Sequence, residues 1–295
     1  MPYTHQTAFE SLFIILGVNL IALVYVRGWF RIRRLDLGTI SAWRGASFLL
    51  GLFLIWLVMA SPIAALDHDL LSIHMVKHLL LMTVASPLIW LGAPIEPLIH
   101  GLPQKVGQAL VSRFFRSRPM RRLGRFLGHP AVCWLTASGT LIGWHVPLLF
   151  MLGMHSAVWH EVEQITFLVS GLLFWWPVIQ PRRIDSTRPE WPILLYLFLA
   201  TVPCDVLSGF LVFCGRVVYP MYSLLPSPLG LSALGDQEYA GALMWTWVTV
   251  VYLIAGTFFT ARLLLPESAR QCAVIRPDLQ HSAASQPTRD NLEVV

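Results

Sequence analysis

The chain has 295 residues, 56% of them hydrophobic and only 13% charged, with a mean hydropathy of +0.63. Soluble domains carry about 25% charged residues, so the composition excludes an ordinary soluble protein and points to an integral membrane one. The net charge of +5 does not signal nucleic acid, because the basic residues lie between apolar runs, where topology explains them.

Seven apolar runs follow one another, at roughly residues 9–27, 43–62, 74–94, 129–148, 161–180, 192–214 and 240–265. Each is near the ~20 residues a bilayer crossing needs and far longer than a barrel strand. The fold class expected is therefore all-α, a polytopic bundle of about seven transmembrane helices over residues 1–265. The first stretch, MPYTHQTAFESLF, has no basic n-region and no AxA-like site, so no cleaved signal peptide is expected.

The connections set the orientation. Arg27, Arg31, Arg33, Arg34 and Arg44 flank the first, and Lys105, Arg113, Arg116, Arg118, Arg121, Arg122 and Arg125 fill the third. Arg182, Arg183 and Arg188 fill the fifth, and Arg262, Arg270, Arg276 and Arg289 lie at the C-terminal end. Nineteen of the 21 lysines and arginines thus fall on alternate connections, with Lys77 and Arg216 as the exceptions. The positive-inside rule then predicts an outer N-terminus and a cytoplasmic C-terminus. The basic loop over about 101–128 is expected to be cytoplasmic and to include an amphipathic surface helix. The tail 266–295, rich in Ser, Gln, Pro and Asp, reads as a disordered cytoplasmic peptide.

Histidines follow the opposite pattern. His5, His68, His74, His78, His145, His155 and His160 map to the outer side, and only His100, His129 and His281 to the other. Asp67, Asp69, Glu161, Glu163, Asp236 and Glu238 fall in the same outer layer, with Met75, Met151 and Met154. That layer holds imidazoles, carboxylates and thioethers, the donors of transition metals.

His74 and His78 are four residues apart in HMVKHLLLMTVASPLIWLGAP, so a helix sets both rings on one face. Met82 continues that face and Met75 lies beside it. Imidazole suits copper, zinc, iron and nickel, and added methionine favours copper(I). Set against this, an isolated interfacial histidine pair is as readily hydrogen-bonded to its neighbours. His145 precedes Pro147, which is expected to end or kink its helix. His160 and Glu163 share a face at i, i+3. Glu163 is either a favourable charge at a helix N-terminus or the partner that fixes a histidine tautomer. Asp205 is an acid in mid-span, a functional candidate by position. Asp236 and Gln237 are expected to precede the last span and cap it.

The cysteines Cys133, Cys204, Cys214 and Cys272 form no CxxC pair and no zinc spacing. GxSxG, Walker A, HExxH and CxxCH signatures are absent, so no enzyme is expected.

Four stretches, HMVKHLLLMTVASPLIWLGAP, GWHVPLLF, HEVEQITFLVSGLLFWWPV and GDQEYAGALMW, together resemble the CtaG-type family of cytochrome c oxidase assembly factors, the polytopic family first associated with caa-type oxidases. The resemblance covers roughly residues 45–265. It implies a seven-helix protein of the bacterial cytoplasmic (inner) membrane that serves haem-copper oxidase maturation in the respiratory chain. Its partners would be oxidase subunits or copper chaperones, and copper its metal. The matching positions His74, His78, His145 and His160 become expected ligands. Glu163, Asp236, Met75, Met82 and Asp205 become supporting residues. The family's fifth span typically opens with a pattern like HxxEH, whereas this chain has Gln164 at the second histidine. Two other readings stay open, a b-type haem protein with His78 as an axial ligand, and a metal-free scaffold for an oxidase intermediate.

Overall fold

The computed structural model describes residues 3–35, 40–60, 66–110, 117–179, 191–223 and 230–264. The tail 266–295 and the central arginines of the basic loops, Arg113, Arg116, Arg182, Arg183 and Arg188, lie outside the described residues. Eleven helical segments are described: α1 (Tyr3–Arg34), α2 (Ala42–Ala60), α3 (Leu71–Leu91), α4 (Ile95–Gly101), α5 (Gln104–Leu110), α6 (Arg118–Leu127), α7 (Pro130–His145), α8 (Pro147–His155), α9 (Ala157–Ile179), α10 (Trp191–Phe213) and α11 (Ala233–Leu264). Six are long and apolar enough to cross a membrane alone. The seventh crossing counts only if α7 and α8 are taken together, and these are bent by 76°. Pro147 has no N–H to continue the α7 ladder, so the helix stops at His145 as its sequence leads one to expect.

Two boundaries differ from the sequence reading. α1 extends well past both of its expected ends; at the C-terminal one, Arg31, Arg33 and Arg34 in the last turn complement the helix dipole. α11 begins at Ala233, so Asp236 and Gln237 lie in its first turn instead of preceding it. Gln237 staples the connection before it. Its amide accepts from the Val218 N–H and donates to the Leu211 and Arg216 carbonyls.

α3 is the hub. It packs on α2, α9 and α11, and 56% of its apolar window is buried, against 11% for α1. Its middle, Leu80–Ala85, is a π-turn. Pro87 explains the widening, because its ring would strike the Thr83 carbonyl and it has no N–H to give it. Carbonyls released there are taken up from outside the ladder. Trp175 Nε1 donates to Met82 O (3.0 Å) and Ser86 Oγ to Leu81 O (2.8 Å). α9 reaches this turn because Gly171 has no side chain; a Cβ there would lie 2.8 Å from Met82 Cα.

Bonds between connections show which belong together. Tyr222 Oη donates to the Asp67 carbonyl (2.9 Å) and Tyr219 Oη to the His145 carbonyl (3.0 Å). One end of the bundle therefore gathers the α2–α3 connection, α8, the start of α9 and the residues before α11. α6 belongs to the basic third connection. None of its residues is buried, and Met120, Leu123 and Leu127 share one face beside Arg118, Arg121, Arg122 and Arg125. That is the amphipathic surface helix expected there.

Candidate metal centre

α3 presents His74 and His78 one turn apart, and α9 brings Glu163 against both. The Nε2 atoms of His74 and His78 are 2.9 Å apart. Each lies 3.3 Å from Oε1 of Glu163. Metal–nitrogen bonds of about 2.0–2.1 Å place the donors of a tetrahedral site ~3.3 Å from one another. The triangle has the size of one face of such a site. All three side chains are buried, His74 and Glu163 to 1% exposure. Among the described residues, Nδ1 of each ring and Oε2 of Glu163 have no hydrogen-bond partner. The converging atoms themselves, Nε2 of both rings and Oε1, lie within hydrogen-bond reach of one another, and imidazole and carboxylate are donor types that transition metals take.

The walls of the triangle are aromatic. Phe167 of α9 stacks on the His78 ring at 4.1 Å, and Phe150 of α8 meets His74 edge-on at 5.1 Å. α8 lies against α9 because Gly153 allows it; a Cβ there would be 2.9 Å from Glu163 Oε2.

His145 ends α7. Its Nδ1–H donates to the Leu141 carbonyl at 2.7 Å, which leaves Nε2 as a buried lone pair with no partner. It lines a cavity of about 40 Å3 together with His78, Met75, Met82, Cys204 and Met244. A water needs roughly 10–15 Å3, so the cavity admits an ion or a few waters. Met75 and Met82 thus lie beside the histidines, as their spacing on α3 suggests.

His160 is displaced from the expected set. Its Nε2 lies 3.0 Å from Asp67 Oδ2 and 2.7 Å from the Gln164 amide, while its Nδ1 is 3.6 Å from Glu163 Oε2. It stands between two carboxylates instead of closing the His74–His78–Glu163 triangle. Gln164, at the position of the family's second histidine, is buried against it. Asp67 is 1% exposed and also pairs with Lys77. Burial alone would raise its carboxyl; the hydrogen bond from His160 and the Lys77 charge outweigh that and hold it well below the usual carboxylate range. Asp67 and Lys77 are not among the expected ligands, although the sequence places Asp67 with the outer carboxylates. The one usable signal was Lys77 itself, with Arg216 one of only two cations in that layer.

Two expected residues are elsewhere. Asp236 takes the backbone N–H groups of Leu71 and Ser72, so it caps α3 and supports the site by positioning it. Asp205 lines a separate groove between α10 and α11 with Thr201, Trp245 and Thr249. Its neighbour Cys204 has Sγ 3.7 Å from Ser208 Oγ.

Fold and site together define a polytopic membrane protein built around a buried histidine–carboxylate cluster. The family model for cytochrome c oxidase caa3 assembly factors (Caa3_CtaG) matches residues 23–264, and the chain belongs to that family. Among curated proteins it is similar to the uncharacterized proteins Mb0105 of Mycobacterium bovis and MT0111 of Mycobacterium tuberculosis. Each is 27% identical over 305 aligned positions, 97% of this chain and 42% of theirs. The uncharacterized protein ML1998 of Mycobacterium leprae is 26% identical over 79% of this chain and 35% of its own length. The chain thus spans less than half the length of these relatives. No solved structure matches.

Proposed function

We propose that this protein binds a copper ion at His74, His78 and Glu163 and passes it to a haem-copper oxidase subunit or a copper chaperone during oxidase maturation. The site faces the outer side of the bacterial cytoplasmic membrane, the side on which only two of the 21 basic residues, Lys77 and Arg216, fall. The observation that carries the reading is the triangle of donors, His74 Nε2, His78 Nε2 and Glu163 Oε1, within 3.3 Å of one another in a buried layer. Imidazole nitrogen with thioether sulfur nearby suits copper in both oxidation states. His145 Nε2, on the wall of the same cavity as His78, is a donor the ion could meet during exchange. A cavity of about 40 Å3 favours an ion over a porphyrin. Three protein ligands leave a position free for exchange, as delivery requires. The role is that of a carrier, with no reaction catalysed.

Elemental analysis of the detergent-purified chain tests this. His78→Ala and Glu163→Gln should each lower copper affinity more than 100-fold in a folded protein, beyond the 10–100-fold typical of an outer partner. His145→Ala should weaken it about tenfold, and His100→Ala should leave it unchanged. Wild-type copper binding in a folded His78→Ala protein sinks the reading. In cells, deletion should lower oxidase activity under copper limitation while the oxidase polypeptides are still made.

A further inference from the structure

Beside the buried triangle lies a second set of donors. Asp67, His68 and His160 each offer one ligand atom, all within 4.8 Å of one another. His160 Nε2 is 3.0 Å from Asp67 Oδ2, and His68 Nε2 is 3.8 Å from Oδ1. Among the described residues, Oδ1 of Asp67 is buried without a hydrogen-bond partner. Leaving a buried carboxylate oxygen without a donor is costly, and a cation at that point would remove the cost. The position of Asp67 is fixed from a distant part of the chain, because Tyr222 donates to its carbonyl.

We propose that Asp67, His68 and His160 form a second metal site, which accepts a divalent copper ion from solvent and loads it into the buried one. The inference rests on the reading of His74, His78 and Glu163 as a copper site. Exposure falls stepwise along the route. The side chain of His68 is 50% exposed, that of His160 13%, and that of His74 1%. The rings follow in close order, with centroids 5.4 Å apart from His68 to His160, 6.0 Å from His160 to His74 and 4.4 Å from His74 to His78. An ion can cross such a series by exchanging one donor at a time. Each new metal–nitrogen bond forms as an earlier one breaks, and the oxidation state is unchanged.

One carboxylate and two imidazoles suit a divalent ion, whereas the methionines line the inner cavity. With one donor half exposed, the outer set leaves coordination positions to water, so the ion is not trapped there. Lys77 supplies the countercharge. It pairs with Asp67, and a compact ammonium on a flexible stem can give way to an arriving cation. The empty site is then a neutral ion pair and not a bare buried carboxylate, which could not persist.

Equilibrium dialysis of the full chain in detergent against glycine-buffered Cu2+, with a time course of loading, tests this. Wild type should bind two equivalents. His68→Ala, which touches a half-exposed residue, should bind one and load at least tenfold more slowly. The double variant His74→Ala/His78→Ala should also bind one, now at the outer set. Lys77→Met should tighten outer binding several-fold. A single equivalent, lost in the double variant and loaded at wild-type rate in His68→Ala, overturns the loading site and leaves the buried site standing. A single equivalent lost in His68→Ala but kept in the double variant overturns the buried site instead. No binding in wild type overturns both.

Discussion

The Asp236 carboxylate accepts from the backbone N–H of Leu71 at 2.6 Å and of Ser72 at 3.3 Å, so a residue of the last helix caps the first turn of α3. Leu70, at the α3 N-cap, has no side chain able to do this. The first N–H groups of a helix need acceptors from outside it. The cap sits one turn before His74 and holds in place the end of α3 that carries the two histidines.

Asp236→Ala should therefore destabilise the folded protein by about 1–2 kcal/mol, the range for loss of a helix cap. Thermal unfolding in detergent measures it. The copper stoichiometry of the folded fraction should stay at the wild-type value, and a folded Asp236→Ala protein without copper would make Asp236 a ligand after all.

Gly171→Val should weaken the packing of α9 on α3. A Cβ there would meet Ser86 Oγ at 2.6 Å and Met82 Cα at 2.8 Å, and overpacking of this kind costs roughly 1–3 kcal/mol. The added bulk would also displace Glu163 from the α3 histidines, since both contacts are made by α9. Lower unfolding temperature and weaker copper retention should appear together. Gly139→Ala, where a Cβ meets nothing within 4 Å, should alter neither.

Orientation is open to direct labelling. In a background without native cysteines, Ser156→Cys at the histidine end should react with an impermeant reagent in intact spheroplasts, and Ser117→Cys should not. Ser156 joins α8 to α9 and Ser117 precedes the basic helix α6. The reverse pattern would put the metal site on the cytoplasmic side.

Much of this architecture is legible in the residues, and the limit is physical. Apolar runs mark spans, Pro147 marks the break, and the four-residue spacing of His74 and His78 fixes one face of α3, because all three are local properties. Register between helices is not local. Whether His160 meets His74 or Asp67 depends on the tilt of α9 against α3, which Gly171 and the π-turn decide. Asp67 lies in a connection with no period to read. Asp236 looked like a cap for its own helix because capping usually is local; here the acceptor serves a helix 165 positions away.

The 76° bend after His145 has a mechanical consequence. α8 is a nine-residue plate with an extended residue at each end, Val146 (φ −66°, ψ 123°) and Ser156 (φ −133°, ψ 120°). Such a plate can pivot on two single-residue hinges while every long helix keeps its neighbours and its lipid contacts. What resists the pivot is the contact of Phe150 with the tilted Tyr219 ring at 4.0 Å, its edge contact with His74 and the packing of α8 on α9 at Gly153. The barrier to uncovering the histidines is thus set by the contacts that α8 makes with Tyr219, His74 and α9, and not by the insertion of the long helices in the bilayer.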